Sequence, residues 1–476
     1  MFSTSKNSNS NYLAKIVKLN NLRKHSNADR LQVTTIDGNN VITDLKAKEG
    51  DYYVFFPLEC TINKEFLAWS NSFEDSSQNN NKEAKGFFNK HGRVRAIKLR
   101  GERSEGYVIP LDGLKNWLLS KNLSFSFDES LVNKEFDSYD SIVLCEKYIP
   151  KYTTPGGNST KKTGRVAKVS RLIDNQFRFH VDTSQLKKNI DKINPDDTIA
   201  ISKKLHGTSF VVAKILCKKK MTAFELILSG MGIDINKEEY QTIWSSRNMV
   251  KNGNRNMSWF ERAISQRKHI LSDIKSFLSH PIKNTKALYY SSQHFFGYDL
   301  WEDIAKELEP YLIEGITLYG EAVGYTKNNT YIQKPYDYGC SIGKFQTYIY
   351  RATMTNPKGF VMELSAAQTK SYCSKYNLNY VPEIYHGKAR DLFPIPVSDN
   401  WNELFVKSLS EAYLEQDCDI CNNKVPAEGI VVRKEVPFEI EAYKHKSFRF
   451  FEHETKQLDS GEIDIETAES IAEEVV

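Results

Sequence analysis

Cysteine is scarce and irregular in this chain. Cys60, Cys145, Cys217, Cys340, Cys373, Cys418 and Cys421 are an odd set of seven without the rhythm of a disulfide framework. The first residues, Met1-Phe2-Ser3-Thr4-Ser5-Lys6, lack the apolar h-region of a secretory leader. These absences together lead us to expect a reducing, cytoplasmic setting. No run approaches the roughly 18–20 apolar residues that span a bilayer, so no membrane partner is expected. Strong charge is missing too: a formal net charge of +5 over 476 residues does not by itself imply a polyanionic partner. There is no internal repeat.

What is present is apolar and aromatic content, 40% and 12%, enough at this length for more than one core, and two domains are expected. Charge is unevenly placed. Between Lys82 and Arg103 stand eight Lys/Arg against Glu83 and Glu102, whereas the stretch from Asp459 onward is strongly acidic. A polyanion would therefore meet the N-terminal part. From Asn11 to about Leu114, short alternating runs at 13–17, 31–36, 40–45, 52–56, 94–99 and 107–110 are separated by turn residues such as Asp37-Gly38 and Glu49-Gly50-Asp51, the pattern of a small β-barrel. The segment Lys24-His25-Ser26-Asn27-Ala28-Asp29-Arg30-Leu31 resembles the opening stretch of tRNA-binding-type OB-folds, and such barrels bind single strands or RNA through one sheet face. Residues 74–82, rich in Ser, Gln and Asn, read as a mobile loop.

The Gly/Ser/Thr/Lys-rich stretch Thr153-Thr154-Pro155-Gly156-Gly157-Asn158-Ser159-Thr160-Lys161-Lys162 cannot hold a packed core and marks a linker. The expected division is 1–145 barrel, 146–168 linker, 169–456 second domain and 457–476 acidic tail. Beyond the linker, 198–204, 211–216, 224–229, 295–299, 316–323, 347–354, 429–433 and 439–444 read as strands, and 259–278 and 401–416 as helices. The fold class expected is α+β. Ala468, Ile471, Ala472 and Val475 recur at helical spacing, so the tail is expected to be an acidic amphipathic helix.

Five short segments carry the candidate chemistry. Lys204 follows an apolar strand and precedes Gly207 by three residues, which lets the chain turn and brings the amine out of the sheet. To act as a nucleophile it must be neutral, and Lys203, Lys444, Lys446 or a divalent metal would favour that form by repulsion. By itself Lys-x-x-Gly also reads as a surface lysine before a turn. Glu321, bracketed by Gly320 and Gly324 at the end of an apolar strand, is a candidate ribose or metal-water ligand, or else a solvated strand-end charge. Glu428 opens a strand that reads as buried, where a carboxylate needs a metal or charged partner. Lys444 and Lys446, two apart on a strand, point the same way and concentrate positive charge suited to a phosphate. Tyr350 offers a flat face for a base, or a place in a core. Cys418 and Cys421 have zinc-knuckle spacing, but no second Cys/His pair completes a tetrahedral site.

The set resembles the covalent nucleotidyltransferase superfamily of RNA ligases, DNA ligases and mRNA-capping guanylyltransferases. Lys204, Glu321, Tyr350, Glu428 and Lys444/Lys446 fall on its motifs I, III, IIIa, IV and V, and Trp244-Ser245-Ser246-Arg247-Asn248 is similar to motif Ia. The resemblance implies an adenylyltransferase (ATP-grasp-like ligase) domain of antiparallel sheets with flanking helices. It also implies Lys204 as the AMP-lysine nucleophile, with Lys444 and Lys446 on the α-phosphate. Leu205, Gly207, Arg247, Glu321, Tyr350 and Glu428 would surround the nucleotide, and Glu428, with Glu321 through water, would serve a metal. ATP would be the AMP donor with Mg2+ or Mn2+. A barrel that precedes the motifs, with Lys-Leu-His-Gly-Thr-Ser at 204–209, resembles RNA ligases that seal 3′-OH/5′-phosphate nicks. Guanylyltransferase, DNA ligase and a non-catalytic OB-fold RNA-binding protein stay as alternatives. His206 stands where many members carry Asp. On this reading the partners are RNA ends, a nicked duplex with an RNA 3′-OH strand, met by a monomer. Arg93, Arg95, Lys98, Arg100 and Arg103 are candidate RNA contacts, or else the solvated face of the barrel.

Overall fold

The computed structural model describes residues 1–5, 9–149, 171–219, 221–247, 249–251 and 299–462. The architecture is α+β, an N-terminal OB-fold barrel followed by a sheet-rich second domain. In the barrel, β1 (Ala14–Lys18), β2 (Leu31–Ile36), β3 (Asn39–Asp44), β4 (Tyr52–Pro57), β5 (Cys60–Ile62) and β6 (Gly106–Pro110) follow the alternating runs. β4 pairs antiparallel with β1 and β6, and β2 with β3. Tyr-Tyr-Val-Phe-Phe-Pro in β4 is apolar on both faces for a reason. The two-residue period sends Tyr53 and Phe55 into the barrel interior with Val17, Val41 and Val108. Val54 and Phe56 enter a second core with α1 (Lys64–Trp69) and α2 (Leu111–Ser120).

Two expectations in the barrel need correction. The strand at 94–99 is reduced to Ile97–Leu99, because Val94 is buried and its N–H donates to Cys60 O at 2.8 Å. Residues 74–82 are not a loose loop; they fold around Asn79. That side chain is fully buried, accepts from Phe73 N at 3.0 Å and donates to Phe73 O and Ala84 O at 2.9 Å each. A polar stretch without a core can still be fixed by one side chain that supplies the backbone's missing partners.

The second domain contains β7 (Thr198–Lys204), β8 (Thr208–Lys218), β9 (Glu238–Ser245), β10 (Ile316–Gly324), β11 (Phe345–Thr355), β12 (Val361–Glu363), β13 (Glu383–Lys388), β14 (Gly429–Lys434) and β15 (Glu441–Lys446). One sheet runs Ser184–Gln185, β15, β14, β7, β13, and the other β9, β8, β10, β11, β12. Pairing is antiparallel except between Ser184–Gln185 and β15. Among the described residues its longer helices are α3 (Ala223–Gly230), α4 (Leu300–Leu308), α5 (Ala366–Lys375), α6 (Trp401–Tyr413) and α7 (Phe448–Asp459). α6 sets Trp401, Phe405 and Leu409, four residues apart, against Ile199, Ile201, Ile430 and Val432 of the first sheet. α4 does the same for the second sheet with Trp301, Ile304 and Leu308 on Phe210 and Leu318.

The expected strand at 224–229 is instead α3. Thr222 and Glu225 form a capping box that starts a helix, and Phe224 and Ile227 are exposed on it. The strand expected at 439–444 begins two residues later and so includes Lys446. The helix expected at 259–278, strand residues 295–298, linker residues 150–168 and the tail helix around Ala468, Ile471, Ala472 and Val475 lie outside the described residues. Among the described residues no helix is long and apolar enough to cross a membrane.

Candidate active site

Lys204 ends β7, and Leu205-His206-Gly207 carries the chain from the first sheet directly into β8 of the second. Gly207 has no room for a side chain: a Cβ there would lie 2.2 Å from Ala322 O. Its N–H donates to Glu321 Oε1 at 3.0 Å, and Ser209 Oγ donates to Glu321 Oε2 at 3.2 Å. Glu321 lies inside β10 rather than at its end, just after a bulge between Tyr319 and Gly320. Leu205 is buried with Val323, Tyr338 and Val425 between the sheets. The His206 N–H donates to Tyr338 Oη at 2.6 Å, and the ring stands edge-on to Tyr336 and Phe450 at 5.0 and 4.9 Å.

Strand register then assembles the charged centre. Gly429 opens β14 and is opposite Lys204 on one side and Lys446 on the other. Its φ of +146° and a would-be Cβ 2.1 Å from His445 O reserve the position for glycine. Glu428, one residue earlier and 3% exposed, therefore sits between the two lysines. Its Oε1 lies 2.9 Å from Lys204 Nζ and 3.3 Å from Lys446 Nζ. Burial pushes the Glu428 carboxyl up, but Lys204, Lys446 and His206 together outweigh it and hold the group below the ordinary carboxylate value. Lys444 responds the other way: burial, then the Lys446 and Lys204 charges, push it down to about 8. Lys446 is raised, because Glu59, Glu454 and Glu428 outweigh the effect of its burial. His445 between them faces the other side, 2.7 Å from Ser410 Oγ, and burial followed by Lys187 pushes it down to about 3. Lys203 is held by Asp419.

Tyr350 and Arg247 line the same cavity. Tyr350 Oη is 2.9 Å from His180 Nδ1, and the Arg247 guanidinium pairs with Asp182, which also accepts from Asn9 Nδ2 at 2.8 Å. Sequence reasoning missed His180 and Asp182. They stand alone in an irregular segment, and no spacing signals them.

It also missed the barrel's share of the cavity. Tyr12, Glu59 and Lys147 line it from the barrel, and Glu454 and Leu458 from α7. Glu59 Oε1 is 3.9 Å from Lys446 Nζ; burial opposes its charge, but Lys446 first among several partners holds it down at about 2. The basic run divides. Arg93 is 2% exposed, bonds Asp459 at 2.9 Å and Thr455 O at 3.1 Å, and lies 5.1 Å over the Tyr148 ring. Arg95 pairs with Glu74 at 2.8 Å and Asp459 at 3.3 Å. Arg103 pairs with Glu415 at 3.1 Å and covers the Phe448 ring at 5.0 Å. Arg93 and Arg95 are not a solvated face; they fasten the barrel to α7, because a buried guanidinium needs an anion, whereas Arg103 is partly exposed where it reaches Glu415 and Phe448. Lys98 and Arg100 are exposed.

The carboxylates also bear on a metal. Glu428 Oε2 is buried and accepts no hydrogen bond. Among the described residues no three His, Cys, Asp or Glu side chains gather into a metal-holding group. Carboxylate oxygens such as Glu428 Oε2, completed by water and substrate oxygens, suit a hard divalent cation.

The RNA ligase family matches residues 197–450, and an OB-fold domain matches residues 13–111. The chain belongs to the RNA ligase family and is an enzyme of that class. No curated protein matches it. Among solved structures it is similar to a Naegleria gruberi RNA ligase lysine-to-methionine mutant with AMP and Mn, at 15% identity and a TM-score of 0.49, over 93% of this chain and 98% of that one. A lysine-to-alanine mutant of the same protein with ATP and Mn matches with the same values.

Proposed function

We propose that the enzyme joins RNA 3′-OH and 5′-phosphate ends at nicks in three steps. Lys204 takes AMP from ATP and releases pyrophosphate, AMP passes to the RNA 5′-phosphate, and the 3′-OH displaces AMP. The observation that carries this reading is the β7–β14–β15 register, which gathers Lys204, Glu428 and Lys446 around one carboxylate oxygen. Glu428 holds the Lys204 side chain in place, and the amine gives up its proton as its nitrogen bonds the α-phosphorus and the bond to pyrophosphate breaks. Lys444 and Lys446 then offer the phosphate oxygens two positive charges from one strand face. Tyr350 supplies a ring for the base. Glu321, fixed by Gly207 and Ser209, is available to the ribose. Glu428, with Glu321 through water, would hold Mg2+ or Mn2+, which neutralises charge on the triphosphate. Of the five candidate RNA contacts, Lys98 and Arg100 are the exposed pair and would meet RNA phosphates.

The test is labelling with α-labelled ATP or GTP and magnesium, followed by sealing of nicked duplexes with RNA or DNA at the 3′-OH. ATP label lost in Lys204→Ala, and sealing that needs an RNA 3′-OH, are expected. GTP label would point to a guanylyltransferase, DNA-indifferent sealing to a DNA ligase, and no label to a non-catalytic RNA binder. ATP label that survives Lys204→Ala would refute the assignment.

A further inference from the structure

Cys418 and Cys421 stand apart from the other cysteines. Cys60, Cys145, Cys217, Cys340 and Cys373 are buried, whereas these two are half-buried, three residues apart, and pack against the same apolar cluster of Tyr336, Tyr338 and Val425. They lie on a hairpin closed by Cys418 N to Val425 O at 2.8 Å and Ala427 N to Gln416 O at 2.9 Å, which leads straight into Glu428. We propose that Cys418 and Cys421 are a dithiol–disulfide site, oxidised by a hydroperoxide, whose closure changes the setting of Lys204.

The chemistry follows from how the two thiols differ. The Cys421 side chain, more than any other group, pushes the Cys418 thiol down, while the Cys418 side chain and burial push Cys421 up. Cys418 is then the readier thiolate and Cys421 the resolving thiol. The Cys418 sulfur attacks the peroxide, the O–O bond breaks, and a sulfenic acid forms with loss of hydroxide, which is protonated to water. Cys421 attacks that sulfur, the S–S bond forms, and a second water leaves. The dithiol gives up two electrons and the peroxide takes them.

The link to Lys204 runs through Lys203 before it and His206 two residues after it. Asp419, between the cysteines, holds Lys203. On the other side, Cys421 packs against the cluster that contains Tyr338, Asn422 N donates to Asp337 Oδ1 at 2.8 Å, and Tyr338 Oη takes the His206 N–H at 2.6 Å. Closing the two thiols to an S–S bond of about 2.05 Å moves the hairpin against these ties. A shift of about 1 Å in a reacting group costs on the order of 10²-fold in rate.

The test uses the full-length protein, reduced and then treated with hydrogen peroxide. Peptide mapping should show a Cys418–Cys421 crosslink with loss of two hydrogens, absent from Cys418→Ser. Cys421→Ser should instead stop at the sulfenic acid, trapped by dimedone on Cys418. Lysine labelling by ATP should fall about tenfold or more on crosslinking and return with dithiothreitol. No crosslink, or one between other cysteines, overturns the site; a crosslink with unchanged labelling overturns its coupling to Lys204. The labelling readout rests on the function proposed above, but the crosslink does not. Failure to label in the reduced protein would therefore count against that function alone.

Discussion

The Nζ of Lys204 lies 2.9 Å from Oε1 of Glu428, a carboxylate 3% exposed and shared with Lys446. A buried carboxylate between two ammonium groups keeps both in place, and its loss leaves them facing each other. Glu428→Gln preserves shape and removes the charge. We predict a fall in lysine labelling of about 10²-fold or more, and a stability loss of about 3–5 kcal/mol in urea unfolding. Unchanged labelling would show that the carboxylate does not position the nucleophile.

Lys444, pushed down to about 8 by burial and by Lys446 and Lys204, gives a pH signature. If its ammonium holds the α-phosphate, kcat/KM for ATP should drop as pH rises through about 8, and Lys444→Arg should lose that alkaline limb because a guanidinium stays charged. Stability should move oppositely. Between about 8 and the ordinary lysine value of 10.5 the unfolded chain binds more protons at this residue than the folded one, so the Lys444 contribution to stability grows as pH rises across that window. Comparing the pH dependence of unfolding for wild type and Lys444→Met isolates it.

Lys98 and Arg100 should behave unlike Arg93. The double change Lys98→Ala/Arg100→Ala is expected to weaken RNA binding and to reduce the salt slope of log K by about 2, near one for each lost phosphate contact. Arg93→Ala should leave that slope alone and cost about 2 kcal/mol of stability, because it strips partners from Asp459 and Thr455. An Arg93→Ala variant with a shallower slope and intact stability would reverse the assignment.

Gly207→Ala puts a Cβ 2.2 Å from Ala322 O, which is backbone and cannot swing aside. β8 must move away from β10, at a cost of about 1–3 kcal/mol, and the Gly207–Glu321 bond is disturbed. Labelling should be lost while secondary structure by circular dichroism persists.

That Lys204, Glu428 and Lys446 come together follows from strands the sequence shows, because Gly429 opens β14 opposite both lysines and antiparallel register does the rest. Residues 224–229 were misread for a local reason: Phe-Glu-Leu-Ile-Leu-Ser looks like a strand, yet the capping pair Thr222 and Glu225, also written in the sequence, starts a helix. Arg93 was misread for a non-local one. Its anion, Asp459, is 366 residues away, and nothing near Arg93 names it. Glu59, His180 and Asp182 were invisible in the same sense: single residues that matter through where the fold brings them.

Because the barrel and α7 both wall the cavity, the family's footprint is shorter than the working enzyme. Residues 197–450 begin after Tyr12, Glu59 and Lys147 and stop inside α7 before Glu454 and Leu458. A fragment cut to that footprint would keep Lys204 and Glu428 but open their compartment on one side, so any nucleotide held there would meet bulk water. The N-terminal domain is thus a wall of the compartment around Lys204 and Glu428.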